Sequence, residues 1–136
     1  MSALYTGGMV FDGTNKSIEG HAVLVQGQRI DKVAPVGEFD GFSGRRVETT
    51  GGTLMPGLFD CHVHLCYDAA ADPFTAMSKV DDAHIVIRAL RHAQAGLRGG
   101  VTTTRDCGGK DYLEFAVRDA CNSGEFLGPT IRAAGR

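Results

Sequence analysis

The chain has 136 residues, 43% hydrophobic and 22% charged, and its 14 basic residues against 16 acidic ones leave a net charge of −2. That composition excludes global disorder, and the near balance of charge offers no footprint for a nucleic acid or an anionic membrane as partner. No apolar run nears the ~18 residues of a membrane span, and Met1 to Tyr5 carries neither the basic region nor the apolar core of a secretory leader. The expected location is therefore cytoplasmic, and Cys61, Cys66, Cys107 and Cys121 are expected as free thiols.

Up to Leu54 the text is that of short β-strands. Residues 21–26 and 29–33 alternate in polarity, and Gly27 between them marks a hairpin turn. The expected arrangement is a meander, with a glycine-bearing surface loop from Val36 to Arg46 and another short strand around Arg46 to Thr49. The character changes after Leu54-Met55-Pro56-Gly57, which divides the chain into residues 1–54 and 55–136.

Leu58 to Leu65 is a near-continuous apolar run broken by polar residues at alternate positions, the pattern of a buried strand with one special face. Asp72-Pro73 and Ser78 open a helical segment whose stripe is Val86, Ala89, Leu90, Ala93 and Leu97. Ser78 and Asp81 form the expected capping pair, and Gly99-Gly100 is the stop. Val101 to Arg105 is a second strand, with Asp106 to Gly109 as its exit loop. A second helix follows from Asp111, with Leu113, Ala116, Val117, Ala120 and Cys121 on one side and Asp111 and Glu114 as cap and partner. Residues 129–134 read as a third strand. The order β-α-β-α-β implies a parallel sheet with right-handed crossovers and chemistry at the carboxyl ends of its strands.

The feature above background is Asp60-Cys61-His62-Val63-His64. Residues two apart on a strand share a face, so Asp60, His62 and His64 are expected on one side and Cys61, Val63 and Leu65 on the other. Two imidazoles about 7 Å apart near a strand's carboxyl end can converge on one cation, because neutral imidazole nitrogen is a good ligand for zinc and similar ions. A four-residue site from Cys61, His62, His64 and Cys66 is disfavoured: its spacing matches no zinc knuckle or finger, and Cys61 points the other way. Asp106 to Gly109 lacks the spacing and lysine of a phosphate loop, and Cys107 has no histidine partner that would make it reactive.

Residues 54–65, Leu-Met-Pro-Gly-Leu-Phe-Asp-Cys-His-Val-His-Leu, resemble the first barrel strand of the amidohydrolase superfamily. Residues 100–106 followed by Gly108-Gly109 resemble its second strand in the imidazolonepropionase-like and Xaa-Pro dipeptidase-like branch, and residues 128–134 resemble the third. Gly7 to Gly13 is similar to the start of the small β-sandwich that precedes the barrel. The resemblance implies an α/β fold: part of that sandwich, then the first three β/α units of a TIM-like (β/α)8 barrel. A complete barrel takes about 250 residues, so it is incomplete in this chain.

It also implies metal-dependent hydrolysis of an amide or peptide-like bond, in a Xaa-Pro dipeptide, an N-acyl amino acid or a cyclic amide. His62 and His64 would hold a divalent metal, zinc by preference and one of two ions in the intact enzyme, which activates water and polarises the carbonyl. Asp60, Arg105 and Asp106 are candidates for supporting the ligands or facing the substrate. The family's lysine, two further histidines and proton-shuttling aspartate stand on later strands, so no catalytic acid or base is assigned, and Lys110, His84 and His92 are not recruited. The expected partner is a small or dipeptide-like molecule, with a homo-oligomer or a complementary chain also open. The alternative function is a truncated, non-catalytic piece that binds metal or assembles with another chain.

Overall fold

A computed structural model describes residues 1–135. The chain divides into two compact units, Met1–Pro56 and Gly57–Arg136.

In the first unit, β1 (Ser2–Thr6), β3 (His21–Gln26), β4 (Arg29–Pro35) and β5 (Arg45–Glu48) form one sheet in the order β4-β3-β1-β5. β2 (Met9–Val10) and β6 (Thr53–Leu54) form a second, parallel pair. The β3–β4 hairpin closes as its sequence directs: Gln26 pairs with Arg29, leaving a two-residue turn in which Gly27 takes φ +60°, a conformation costly for any side chain with a Cβ. The sheet is not the expected meander. β5 returns to run parallel to β1, and a 3-10 turn over Val36–Phe39 lies where a plain loop was expected. Phe39 explains that turn, because its ring joins Leu4, Ala22 and Ala34 in the unit's core, and Arg46 Nη2 donates to the Phe39 carbonyl at 2.9 Å.

The second unit has the β-α-β-α-β order. β7 (Leu58–Val63), β8 (Val101–Asp106) and β9 (Thr130–Ala133) lie parallel in that sequence, crossed by α2 (Asp82–Arg98) and α3 (Leu113–Asn122). A short α1 (Pro73–Ser78) precedes α2 and moves the caps. Asp72 Oδ1 accepts from Thr75 N, and Asp81 Oδ1 accepts from His84 N at 3.1 Å, so Asp81 rather than Ser78 starts the long helix. α3 begins instead from Tyr112 in the left-handed region, without a side-chain cap. Glu114 is fully buried and, among the described residues, its carboxylate has no hydrogen-bond partner, which removes it from the expected capping pair.

The unit's core is Leu65, Cys66, Met77, Ile85, Ala89, Ala93, Val117, Cys121 and Ile131. The buried line Ile85-Ala89-Ala93 is the predicted stripe rotated by part of a turn, with Val86 and Leu90 packed at its margin. β7 departs from the buried strand expected of its apolar run: Leu58 is 47% and Phe59 70% exposed. It is an edge strand of this sheet, paired on one side only, with β8. Among the described residues no helix is long and apolar enough to cross a membrane.

Candidate metal centre at the ends of the parallel strands

The histidine pair sits where β7 stops following simple alternation. Asp60 pairs with Thr104 and Val63 with Asp106, so Cys61 and His62 together oppose Arg105 alone. This is a bulge, a device that re-aims side chains beside a strand end. β7 ends at Val63, and His64 lies one residue beyond it rather than on the strand as expected. The imidazoles nonetheless converge, with ring centroids 5.3 Å apart and planes at 67°.

The His64 ring is held on two sides. Its Nδ1 lies 2.7 Å from the Gly108 carbonyl oxygen, and its face stacks on Tyr67 at 4.8 Å and 13°. Tyr67 in turn meets Phe74 edge to face at 5.5 Å. A carbonyl only accepts, so His64 Nδ1 carries the hydrogen and Nε2 presents a lone pair. That is the arrangement of a metal-ligating histidine, whose second nitrogen is normally tied to a carbonyl or carboxylate. Two imidazoles suit zinc, but among the described residues no group of three His, Cys, Asp or Glu side chains could hold a metal. The chain's own donors thus fit part of a metal site.

The remaining candidates separate by position. Asp60 Oδ1 accepts from the backbone N–H of His62 at 3.1 Å, so its carboxylate staples the bulge. Arg105 is exposed at the carboxyl end of β8. Asp106 is fully buried; its Oδ2 accepts from Leu65 N at 3.0 Å and its Oδ1 from Gly108 N at 2.8 Å. Burial pushes the Cys66 thiol up to about 11, which disfavours the thiolate a metal would need, and Cys61 is exposed.

Of the residues left unrecruited, Lys110 Nζ pairs with Asp82 at 2.6 Å and exposed His84 with Asp81 at 2.6 Å. His92 does more than pack, since its Nδ1 donates to the Leu65 carbonyl at 2.9 Å and anchors the loop that follows His64. Nothing in helical spacing marks that role. The Gly108 carbonyl was equally hidden, its only signal being the Gly108-Gly109 pair behind a strand-terminal aspartate.

The chain is 31% identical over 100 residues to an imidazolonepropionase of Hahella chejuensis, covering 71% of this chain and 24% of that protein. Against an ochratoxinase of Aspergillus niger the identity is 27% over 135 residues, 94% of this chain and 27% of the other. Among solved structures, a Xaa-Pro dipeptidase with bound methionine in its active site superposes with a TM-score of 0.85 at 28% identity, covering all of this chain and 34% of its own. A prolidase complexed with N-methylphosphonate-L-proline gives 0.82 at 31% identity, covering all of this chain and 32% of its own. The chain therefore spans about a quarter of its curated relatives and a third of these structures. The amidohydrolase family pattern matches residues 53–135, more than half of the chain, and the chain belongs to that family.

Proposed function

We propose that the protein to which these residues belong is a metal-dependent hydrolase of amide or peptide-like bonds, with His62 and His64 as two of its metal ligands. The observation that carries this is the His64 ring, tied at Nδ1 to the Gly108 carbonyl and set 5.3 Å from the ring of His62. In this reading β7, β8 and β9 are the first three strands of a (β/α)8 barrel, preceded by part of a small β-sandwich. The histidines then stand at the barrel's carboxyl face, where such enzymes do their chemistry.

When bound, a divalent cation, zinc by preference and one of a pair, supplies the Lewis acidity that activates water and polarises a carbonyl. His62 and His64 present neutral nitrogens to it, Tyr67 fixes the plane of the His64 ring, and Asp60 holds the bulge that aims His62. Arg105, exposed at the end of β8, faces the substrate side and suits a carboxylate such as the one a dipeptide or N-acyl amino acid carries. The imidazolonepropionase and Xaa-Pro dipeptidase relatives support small cyclic amides and proline dipeptides as substrate classes.

A second reading, a non-catalytic piece that assembles with a complementary chain, draws on the exposed apolar edge at Leu58 and Phe59. The reading frame beyond Arg136 decides between them. The hydrolase reading expects further strands bringing a lysine, two histidines and an aspartate to their carboxyl ends, and a chelator-sensitive activity of that product on Xaa-Pro dipeptides, N-acyl amino acids or cyclic amides. A stop codon at this point, with no activity, would favour the assembly reading.

A further inference from the structure

The exits of the three parallel strands are joined through one residue. Asp106 is fully buried at the end of β8 and uses all its acceptor groups on neighbouring loops. Its Oδ2 takes the Leu65 N–H at the exit of β7, and its Oδ1 takes the Gly108 N–H in its own exit turn. Its backbone oxygen takes the Ala134 N–H at the exit of β9, at 2.9 Å. A carboxylate is suited to this because both its oxygens are acceptors, whereas an asparagine of the same shape offers one acceptor and one donor.

The consequence falls on His64. Its ring accepts no choice of partner at Nδ1, since the group it meets is the carbonyl of Gly108, whose own N–H is clamped by Asp106. The residue after His64 is clamped by the other oxygen of the same carboxylate. Both ends of the His64–Gly108 hydrogen bond are thus located by Asp106. We propose that Asp106 is a positioning residue that holds His64 in its Nδ1–H tautomer and aims Nε2 at the metal site. This deepens the hydrolase reading and rests on it for the identity of what Nε2 would bind. It does not rest on it for the tautomer.

The experiment separates the two. Two-bond 1H–15N correlation spectra of the chain at pH 8 read the tautomer of each histidine directly, with no metal present. The wild-type chain is expected to show His64 as the Nδ1–H form, with the amides of Leu65 and Gly108 slow to exchange. Asp106→Asn is expected to mix the His64 tautomers while leaving His92 and His84 unchanged. A wild-type His64 protonated at Nε2, or fast exchange at either amide, overturns the proposal without recourse to a variant, so poor folding of Asp106→Asn does not protect it. An unchanged His64 tautomer in a folded Asp106→Asn overturns it as well. Zinc titration of the whole protein and of its Asp106→Asn variant is expected to show affinity about 10- to 100-fold weaker in the variant. Failure of the whole wild-type protein to bind zinc would sink the hydrolase reading and leave the tautomer result standing.

Discussion

His64 and Gly108, 44 residues apart in sequence, are joined by a 2.7 Å hydrogen bond from the imidazole Nδ1 to the carbonyl oxygen. The bond depends on a turn that only glycine makes well. Gly108 has φ +118°, and a Cβ built on it would lie 2.7 Å from the Gly135 carbonyl oxygen. Gly108→Ala is therefore expected to cost about 2 kcal/mol of stability, from left-handed backbone strain and displacement of the turn. Chemical denaturation measures that loss. A variant as stable as wild type would show that the turn relaxes freely.

The loop after His64 has a second anchor in His92, whose ring donates to the carbonyl of the buried residue Leu65. His92→Ala leaves that acceptor without its partner, and is expected to lower stability by roughly 1–2 kcal/mol. His92→Gln, whose amide can still donate, is expected to recover part of it. Equal stability of His92→Ala and wild type in urea unfolding would contradict the anchoring role.

These two anchors mark the boundary of what the sequence discloses. The order of strands and helices from Leu58 onward follows from local periodicity, and the His62-x-His64 pair is visible because spacing and residue type both belong to one short segment. The position of the caps is ambiguous in the sequence because Asp72, Asp81 and Ser78 all have capping side chains, and only the extra turn of α1 decides among them. The parallel return of β5 to β1, the bulge at Cys61 and His62, and the Asp106 clamp are contacts between residues far apart in the chain. No local pattern encodes them. Glu114 shows the limit most sharply, since its position in the first helical turn suggests a solvent-facing cap and the fold buries it completely.

The cysteines give a pH-dependent test of the second unit's core. Burial first, and then the nearby carboxylates of Glu114 and Asp106, push the Cys66 thiol from the ordinary 9 up to about 11. Between those values the unfolded chain has lost the proton and the folded chain keeps it, so stability falls as pH rises from 9 towards 11. At pH 8 exposed Cys61 is expected to react first with a thiol reagent, and buried Cys66 and Cys121 only on unfolding. Cys66→Ala is expected to flatten the loss of stability above pH 9. Rapid modification of four thiols in the folded chain would contradict this packing.

The central claim, that His62 and His64 are metal ligands, is tested most directly by titrating the whole protein to which these residues belong with zinc or cobalt and repeating the titration on His62→Ala and His64→Ala. The account predicts a bound divalent ion whose affinity falls at least about tenfold on loss of either imidazole. Affinity unchanged by both substitutions would contradict it.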